Sequence, residues 1–142
     1  MEAKRKRWMP LDNSAKIYPA VMSRDWAAVF RVSVTLKEPI QPEILQQALE
    51  DTVVRIPSFS LSLHRGAFWY YLDTNEHPPH VEEDVKNPCK KIDKRENDGY
   101  YFRVRYYHSR IAVELFHSIA DGTGAMVFLK TLAARYLQLA GY

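Results

Sequence analysis

The sequence lacks several features that would place it in a specialised class of protein. It has one cysteine, Cys89, which excludes an intramolecular disulfide framework and a Cys-x-x-Cys zinc site. No apolar run approaches the ~18 residues of a transmembrane helix, and no apolar stretch near the N-terminus has the length of a signal-peptide core. No internal repeat or low-complexity segment is present. These absences favour one folded domain with a cytoplasmic location and no membrane span.

Positive charge is in slight excess, and where the basic residues lie indicates whether the protein binds nucleic acid. The net charge of +3 comes entirely from residues 1–10, which contain Glu2 and a basic run of Lys4, Arg5, Lys6 and Arg7. The other residues sum to zero, whereas a nucleic-acid-binding domain usually carries basic residues across a folded face. We therefore interpret the run as a solvated terminus and expect no nucleic-acid partner.

The sequence does contain a regular order of predicted strands and helices. Residues 1–25 predict an N-terminal arm, and residues 26–142 predict the folded part. Alternating apolar residues predict strands at 27–36, 59–64, 67–72, 100–107 and 111–117, and helical spacing predicts helices at 42–56 and 123–140. Residues 73–99 are polar and predict a long connection outside the core. The hairpins indicate an α+β fold in which helices cover a mixed, largely antiparallel sheet.

The stretch most informative about function joins the last strand to the last helix, and from Phe116 it reads Phe-His-Ser-Ile-Ala-Asp-Gly-Thr-Gly. His117 continues an apolar strand face, and an imidazole at a strand end suits a general base. Asp121 opens the helix, where a carboxylate can accept backbone N–H bonds or pair with an arginine. Gly122 lets the backbone approach closely. The alternative interpretation is a core or turn histidine followed by an Asp-Gly turn and a capped helix.

This His-x-x-x-Asp-Gly pattern resembles the active-site signature of the CoA-dependent acyltransferase superfamily. That superfamily includes chloramphenicol acetyltransferase, the condensation domains of nonribosomal peptide synthetases, and alcohol acetyltransferases. Residues 9–19 and the Leu-Gln-Gln-Ala-Leu segment at 45–49 are also similar to alcohol-acetyltransferase-like members. Phe116 stands where the doubled-histidine form of the motif has its first histidine. The departure counts against a peptide-bond-forming condensation domain more than against acyl transfer.

The resemblance implies a role for each residue of the motif. His117 would be the base that deprotonates an acceptor hydroxyl or amine, which then attacks an acyl thioester. Asp121 would be mainly structural and would pair with an arginine, and Gly122 would keep the channel open beside the histidine. The implied fold is that of a chloramphenicol acetyltransferase-like half-domain.

The resemblance also implies that the chain is one half of such an enzyme. Members have two similar halves with the reaction channel between them, and the DFGWG-type motif of the second half is absent here. We therefore expect residues 26–142 to be the N-terminal half of an acyl-CoA-dependent O-acyltransferase, alcohol acetyltransferase-like and inactive alone. The alternative is a non-catalytic, condensation-like half-domain that binds a carrier arm or a protein partner.

The expected ligands and partners follow from that resemblance. Acetyl-CoA or another acyl thioester would be the co-substrate and a small alcohol the acceptor, with no tightly bound cofactor. The missing C-terminal half would be the main protein partner. Apolar surface that this half would cover, including faces of 100–107 and 111–117, predicts self-association of the isolated chain.

Two other patterns support weaker hypotheses. His77, His80 and Cys89 could bind a metal, but no spacing matches a known site and a solvated loop is favoured. Arg103 and Arg105 share one strand face with Tyr101 and Tyr107, and this basic and aromatic face could bind single-stranded nucleic acid. An ordinary half-exposed sheet face is the favoured interpretation.

Overall fold

The computed structural model describes residues 9–10, 29–65, 70–90, 92–93, 97–116 and 120–142, and these contain two sheets, two α-helices and the short 3-10 helix Pro57–Ser60. Within those residues the elements, in chain order, are β1 Met9–Pro10, β2 Val29–Thr35, α1 Pro42–Arg55, β3 Leu61–Arg65, β4 Tyr70–Thr74, β5 Val81–Glu83, β6 Phe102–Tyr107, β7 Arg110–Phe116 and α2 Gly122–Leu139. No helix among them is long and apolar enough to cross a membrane.

The larger sheet has four strands in the order β2-β7-β6-β5. β7 pairs antiparallel with β2 and β6, and β5 runs parallel to β6. In this register Arg31 of β2 and Arg103 of β6 both lie opposite Glu114 of β7. Because side chains alternate along a strand, these charged residues share one face and their neighbours share the other. The predicted mixed, largely antiparallel α+β sheet is confirmed.

The smaller sheet is antiparallel, with the order β1-β4-β3. β3 and β4 pair from Leu61 with Thr74 to Arg65 with Tyr70, as the predicted hairpin requires. The predicted turn at Gly66 lies outside the described residues. Of the predicted N-terminal arm, the structure describes Met9 and Pro10, which pair with β4.

Both helices cover the face of the larger sheet opposite Arg31, Arg103 and Glu114. α1 begins at Pro42, whose missing N–H is not needed in a first helical turn. The backbone N–H of Gln41 donates to the Tyr136 hydroxyl of α2 at 2.9 Å, which ties the two helices together. The ring of Phe128 in α2 stacks on Phe59 with centroids 4.1 Å apart and meets Phe102 of β6 edge-on at 5.3 Å.

The core is made of residues from β6, β7 and the two helices. Its buried members include Phe102, Val104, Ile111, Val113, Leu115, Leu45, Leu49, Leu129 and Leu132. The expectation that 100–107 and 111–117 present an exposed apolar face is therefore wrong at these positions. The apolar face of β6 and β7 is already covered by the chain's own helices.

Residues 73–99 differ most from the sequence prediction. They contain β5, and they contribute the buried residues Pro79 and Ile92. Gln46 of α1 fixes the approach to β5, because its side-chain amide donates to the Pro79 carbonyl at 2.8 Å and accepts from the Val81 N–H at 2.9 Å. The prediction of a connection outside the core is wrong here, since long-range pairing with β6 and α1 decides the structure of this segment.

Candidate active site and the charged face behind it

The predicted catalytic motif spans the connection between β7 and α2. β7 ends at Phe116, which is 1% exposed, and α2 begins at Gly122. The predicted base, His117, lies with residues 118–119 outside the described residues. The structure therefore describes the residues on either side of 117–119, and of the motif it describes the helix end, with its acidic residue and its glycine.

Asp121 is the N-cap residue of α2. Its backbone is extended, and its Oδ1 accepts a hydrogen bond from the Gly124 N–H at 2.8 Å. Such a carboxylate satisfies one of the unpaired N–H groups of the first turn and lies at the positive end of the helix dipole. The sequence allows Asp121 to bind either a backbone N–H group or an arginine, and in the structure it binds the backbone N–H of Gly124. Within the described ranges, Asp121 forms no ion pair with an arginine.

The two glycines of the first turn have different surroundings. A Cβ atom built at Gly124 would lie 3.0 Å from the Cβ of Ala120, so this position has no room for a larger residue without a shift. A Cβ atom at Gly122 would meet no described atom within 4 Å. Gly124 is therefore explained by packing. Gly122 borders open space, and its assignment to a channel stays a prediction.

A buried charged cluster lies on the sheet face opposite the helices. Glu114 is 0% exposed, and its carboxylate accepts hydrogen bonds from Nη2 of Arg31 and of Arg103 at 2.7 Å each and from Nη1 of Arg105 at 3.2 Å. Arg103 is 9% and Arg105 is 8% exposed. The prediction that these two arginines line a half-exposed sheet face is therefore wrong.

Asp84 provides a second carboxylate in the cluster. Arg31 binds both of its oxygens, at 2.7 and 2.9 Å, and Arg110 donates to Oδ2 at 2.9 Å. The hydrogen bonds from Arg31 hold the pKa of Asp84 well below its usual range, and the bond to Asp84 raises the pKa of Arg31. Burial alone would raise the pKa of Glu114, but the hydrogen bonds from Arg31 and Arg103 outweigh it and the pKa is lowered. Both carboxylates are thus ionised at neutral pH.

All three residues considered as metal ligands contact other groups, and the backbone N–H of His77 donates to Oδ1 of Asn75 at 3.0 Å. Nε2 of His80 lies 3.3 Å from Oδ2 of Asp98, and the backbone N–H of Cys89 donates to Oε2 of Glu114 at 2.8 Å. The described parts of the chain contain no group of three His, Cys, Asp or Glu residues arranged to hold a metal ion. Burial, followed by the charge of Glu114, raises the pKa of the Cys89 thiol, whereas a nucleophilic cysteine needs a lowered pKa.

The sequence does not predict the charged cluster, because its members are far apart in the chain. Arg31 and Glu114 are 83 residues apart, and Arg103 and Glu114 are 11 apart. One signal was available. Glu114 is the only acid in a strand of otherwise apolar residues that begins at Arg110, and a carboxylate in such a strand needs cationic partners.

Comparison with known proteins gives a likeness in structure alone. No family model matches the chain, and no curated protein sequence does. Among solved structures, the starter condensation domain of rhizomide synthetase RzmA superposes with a TM-score of 0.73 at 11% identity, over 95% of this chain and 38% of that one. The chain shares the fold of this condensation domain. This confirms, for the fold, the resemblance inferred from the motif.

Two further solved structures superpose over nearly the whole chain. Polyketide synthase associated protein 5 from Mycobacterium tuberculosis gives a TM-score of 0.65 at 16% identity, over 93% of this chain and 33% of that one. TRI101 from F. sporotrichioides, complexed with coenzyme A and T-2, gives 0.59 at 12% identity, over 93% and 41%. The chain therefore spans between 33% and 41% of the length of these three structures.

Proposed function

We propose that the chain is the N-terminal half of an acyl-CoA-dependent O-acyltransferase in which His117 activates an acceptor hydroxyl. The observation that supports this is the position of the His-x-x-x-Asp-Gly motif in the sequence between β7 and α2, in a fold that condensation domains and TRI101 share. A fold alone does not define a reaction, so the chemistry of the motif carries the argument.

The proposed reaction is an acyl transfer with one base. Neutral His117 accepts the hydroxyl proton while the acceptor oxygen attacks the carbonyl carbon of the thioester. As the tetrahedral intermediate collapses, the C–S bond breaks and the leaving thiolate takes the proton from the imidazolium. The products are an ester and free CoA, and the histidine returns to its neutral form. Histidine suits both steps because its ordinary pKa is close to physiological pH.

Hydrogen bonds hold β7, which precedes the motif, and the first turn of α2, where the motif ends. The Glu114 cluster joins β7 to both of its neighbouring strands, and Asp121 closes the first turn of α2. Both ends of the segment that contains His117 are therefore anchored. Fixing the position of a catalytic group relative to its substrate supplies a large part of the rate of a transfer reaction.

The activity is tested on the full-length protein that contains this chain, with acetyl-CoA and a panel of small alcohols. Thiol release reports loss of the acyl group from CoA, and mass spectrometry of the mixture identifies the ester. We expect thiol release that depends on the alcohol and an ester in equal amount. Absence of any ester, together with saturable binding of a carrier-protein arm, would favour the non-catalytic half-domain instead.

A further inference from the structure

A short segment lies over the charged face of the larger sheet. Residues 84–90, here called the strap, have exposed side chains at 85–88 and at Lys90, whereas the side chain of Asp84 is 6% exposed. Three contacts attach the strap to charged side chains of the sheet: Asp84 accepts from Arg31 and Arg110, the Cys89 N–H donates to Glu114, and the Lys90 carbonyl accepts from Arg103. The described attachment of the strap is thus an ion pair at Asp84, two backbone hydrogen bonds to charged side chains, and a backbone bond from the Asp84 N–H to the Tyr106 carbonyl at 2.8 Å.

The cluster under the strap has more positive charge and more donors than its carboxylates use. Four arginines face the two buried carboxylates of Asp84 and Glu114, while Glu82 is 43% exposed and its carboxylate lies 3.5 Å from Nε of Arg105. Three buried Nε–H groups have no acceptor among the described residues, those of Arg31, Arg105 and Arg110. Unused donors on buried cations are costly, so an additional acceptor would be favourable here.

We propose that the cluster of Arg31, Arg103, Arg105 and Arg110 is a binding site for a phosphate group, and that Asp84 occupies it in the unliganded chain. Arg31 grips the two oxygens of Asp84 in the forked geometry that guanidinium groups use for carboxylates and phosphates alike. A phosphate offers more acceptor oxygens and more negative charge than one carboxylate. It therefore matches the unused donors better than Asp84 does. This site is independent of the proposed acyl transfer.

Binding requires Asp84 to leave, because ligand and carboxylate compete for Arg31 and Arg110. When Asp84 moves away, the four arginines face Glu114 as the one remaining buried carboxylate. A strap that is closed in roughly nine-tenths of the molecules would lower the apparent affinity for phosphate about tenfold. Displacement of the strap would also expose Cys89, which is the single cysteine of the chain and thus a specific reporter.

The experiment uses sodium pyrophosphate as the ligand, with sodium chloride added to hold the ionic strength constant. Calorimetry measures binding, and the rate of Cys89 alkylation by uncharged N-ethylmaleimide measures strap opening. We expect saturable binding and a faster alkylation that saturates at the same concentration.

Coenzyme A, tested by calorimetric competition, identifies the source of the phosphate. Competition points to the phosphates of a nucleotide, and its absence points to free phosphate or pyrophosphate. Failure of pyrophosphate to bind overturns the proposal.

Three variants separate this site from general charge effects. Asp84→Asn should bind pyrophosphate about tenfold more tightly and alkylate faster without ligand, since the competing charge is gone. Asp51→Asn is the matched control, because Asp51 pairs with Arg135 at 2.7 Å between the helices, away from the cluster. It should behave as wild type.

The partly exposed Arg110 gives a variant that tests the site even if Asp84→Asn does not fold. Arg110→Gln should lower the affinity for pyrophosphate by about tenfold, the loss expected for one charge-assisted hydrogen bond. Circular dichroism checks that each variant is folded. Equal affinities for wild type, Asp84→Asn and Arg110→Gln would show that pyrophosphate binds elsewhere and would reject the site.

Discussion

At the scale of single residues, Glu114 is the centre around which the charged side chains of the larger sheet are arranged. A fully buried carboxylate is tolerated only where several donors surround it, and here Arg31, Arg103 and Arg105 and the Cys89 N–H all bind it. The network links β2, β6, β7 and the strap. The sequence shows a lone acid in an apolar strand but does not show its partners, since these depend on the pairing of distant strands.

We predict that Glu114→Gln lowers the free energy of unfolding by ~3–5 kcal/mol, because it leaves buried arginines without their counter-charge. Glu82→Gln is the control. Glu82 also contacts Arg105, at 3.5 Å, but it is 43% exposed, and we expect a loss below ~1 kcal/mol. Urea denaturation of the three proteins measures both values. Equal losses for the two variants would contradict the assignment of Glu114 as the centre of the cluster.

Asp121 gives a second prediction at this scale. Because its observed bond is an N-cap bond to the Gly124 N–H, Asp121→Ala should lower the free energy of unfolding by ~0.5–2 kcal/mol. Asp121→Asn should have little effect, since asparagine caps helices about as well as aspartate. Thermal or urea unfolding compares the two. If the asparagine variant were as unstable as the alanine variant, the charge of Asp121 would have an ionic partner.

At the scale of elements, the sequence predicts the helices better than the strands. The predicted helices at 42–56 and 123–140 differ by at most one residue at each end from Pro42–Arg55 and Gly122–Leu139. Local signals are sufficient there: a proline in the first turn, an aspartate cap and a regular apolar face. β5 has three residues and no local signal, because its position depends on parallel pairing with β6. The His-x-x-x-Asp-Gly motif can likewise be predicted from the sequence, because its residues are consecutive in the chain. The charged cluster cannot, because its residues come from strands that are distant in the sequence.

The first turn of α2 gives a prediction at this scale. Gly122→Ala should fold normally and gain ~0.4–1 kcal/mol of stability, because the new Cβ meets no described atom and the unfolded chain loses freedom. Gly124→Ala should be less stable than wild type, since its Cβ would lie 3.0 Å from that of Ala120. Thermal melts compare the two. If Gly122 borders the reaction channel, Gly122→Ala should also reduce acyl transfer in the full-length protein while it remains folded.

At the scale of the whole molecule, the chain's own helices already cover the main apolar face of the larger sheet. β6 and β7 bury their apolar side chains under α1 and α2, and their other face is charged. The exposed large apolar residues of the described chain lie mostly on the helices and near the C-terminus. They include Val54, Met126, Val127, Leu139 and Tyr142. Self-association therefore stays a prediction, and it is tested by substituting the exposed apolar residues of the helices.

We predict that the isolated chain self-associates at micromolar concentration through the exposed side of α2. Val127 is 53% and Met126 is 39% exposed, and they are adjacent in the first turns of that helix. Val127→Glu should shift the chain towards the monomer in light scattering and analytical ultracentrifugation. Val54→Glu, on α1, is the comparison and should have a smaller effect. A monomeric wild-type chain would contradict the prediction.

The identity of the base is the central claim, and one kinetic comparison tests it most directly. In the full-length protein, His117→Ala should lower kcat/KM for acyl transfer from acetyl-CoA by ~10²–10⁴-fold, the usual effect of removing a general base. His77→Ala changes an exposed histidine of the loop before β5 and should leave kcat/KM unchanged. Near-equal kcat/KM values for wild type, His77→Ala and His117→Ala would contradict the assignment of His117 as the base.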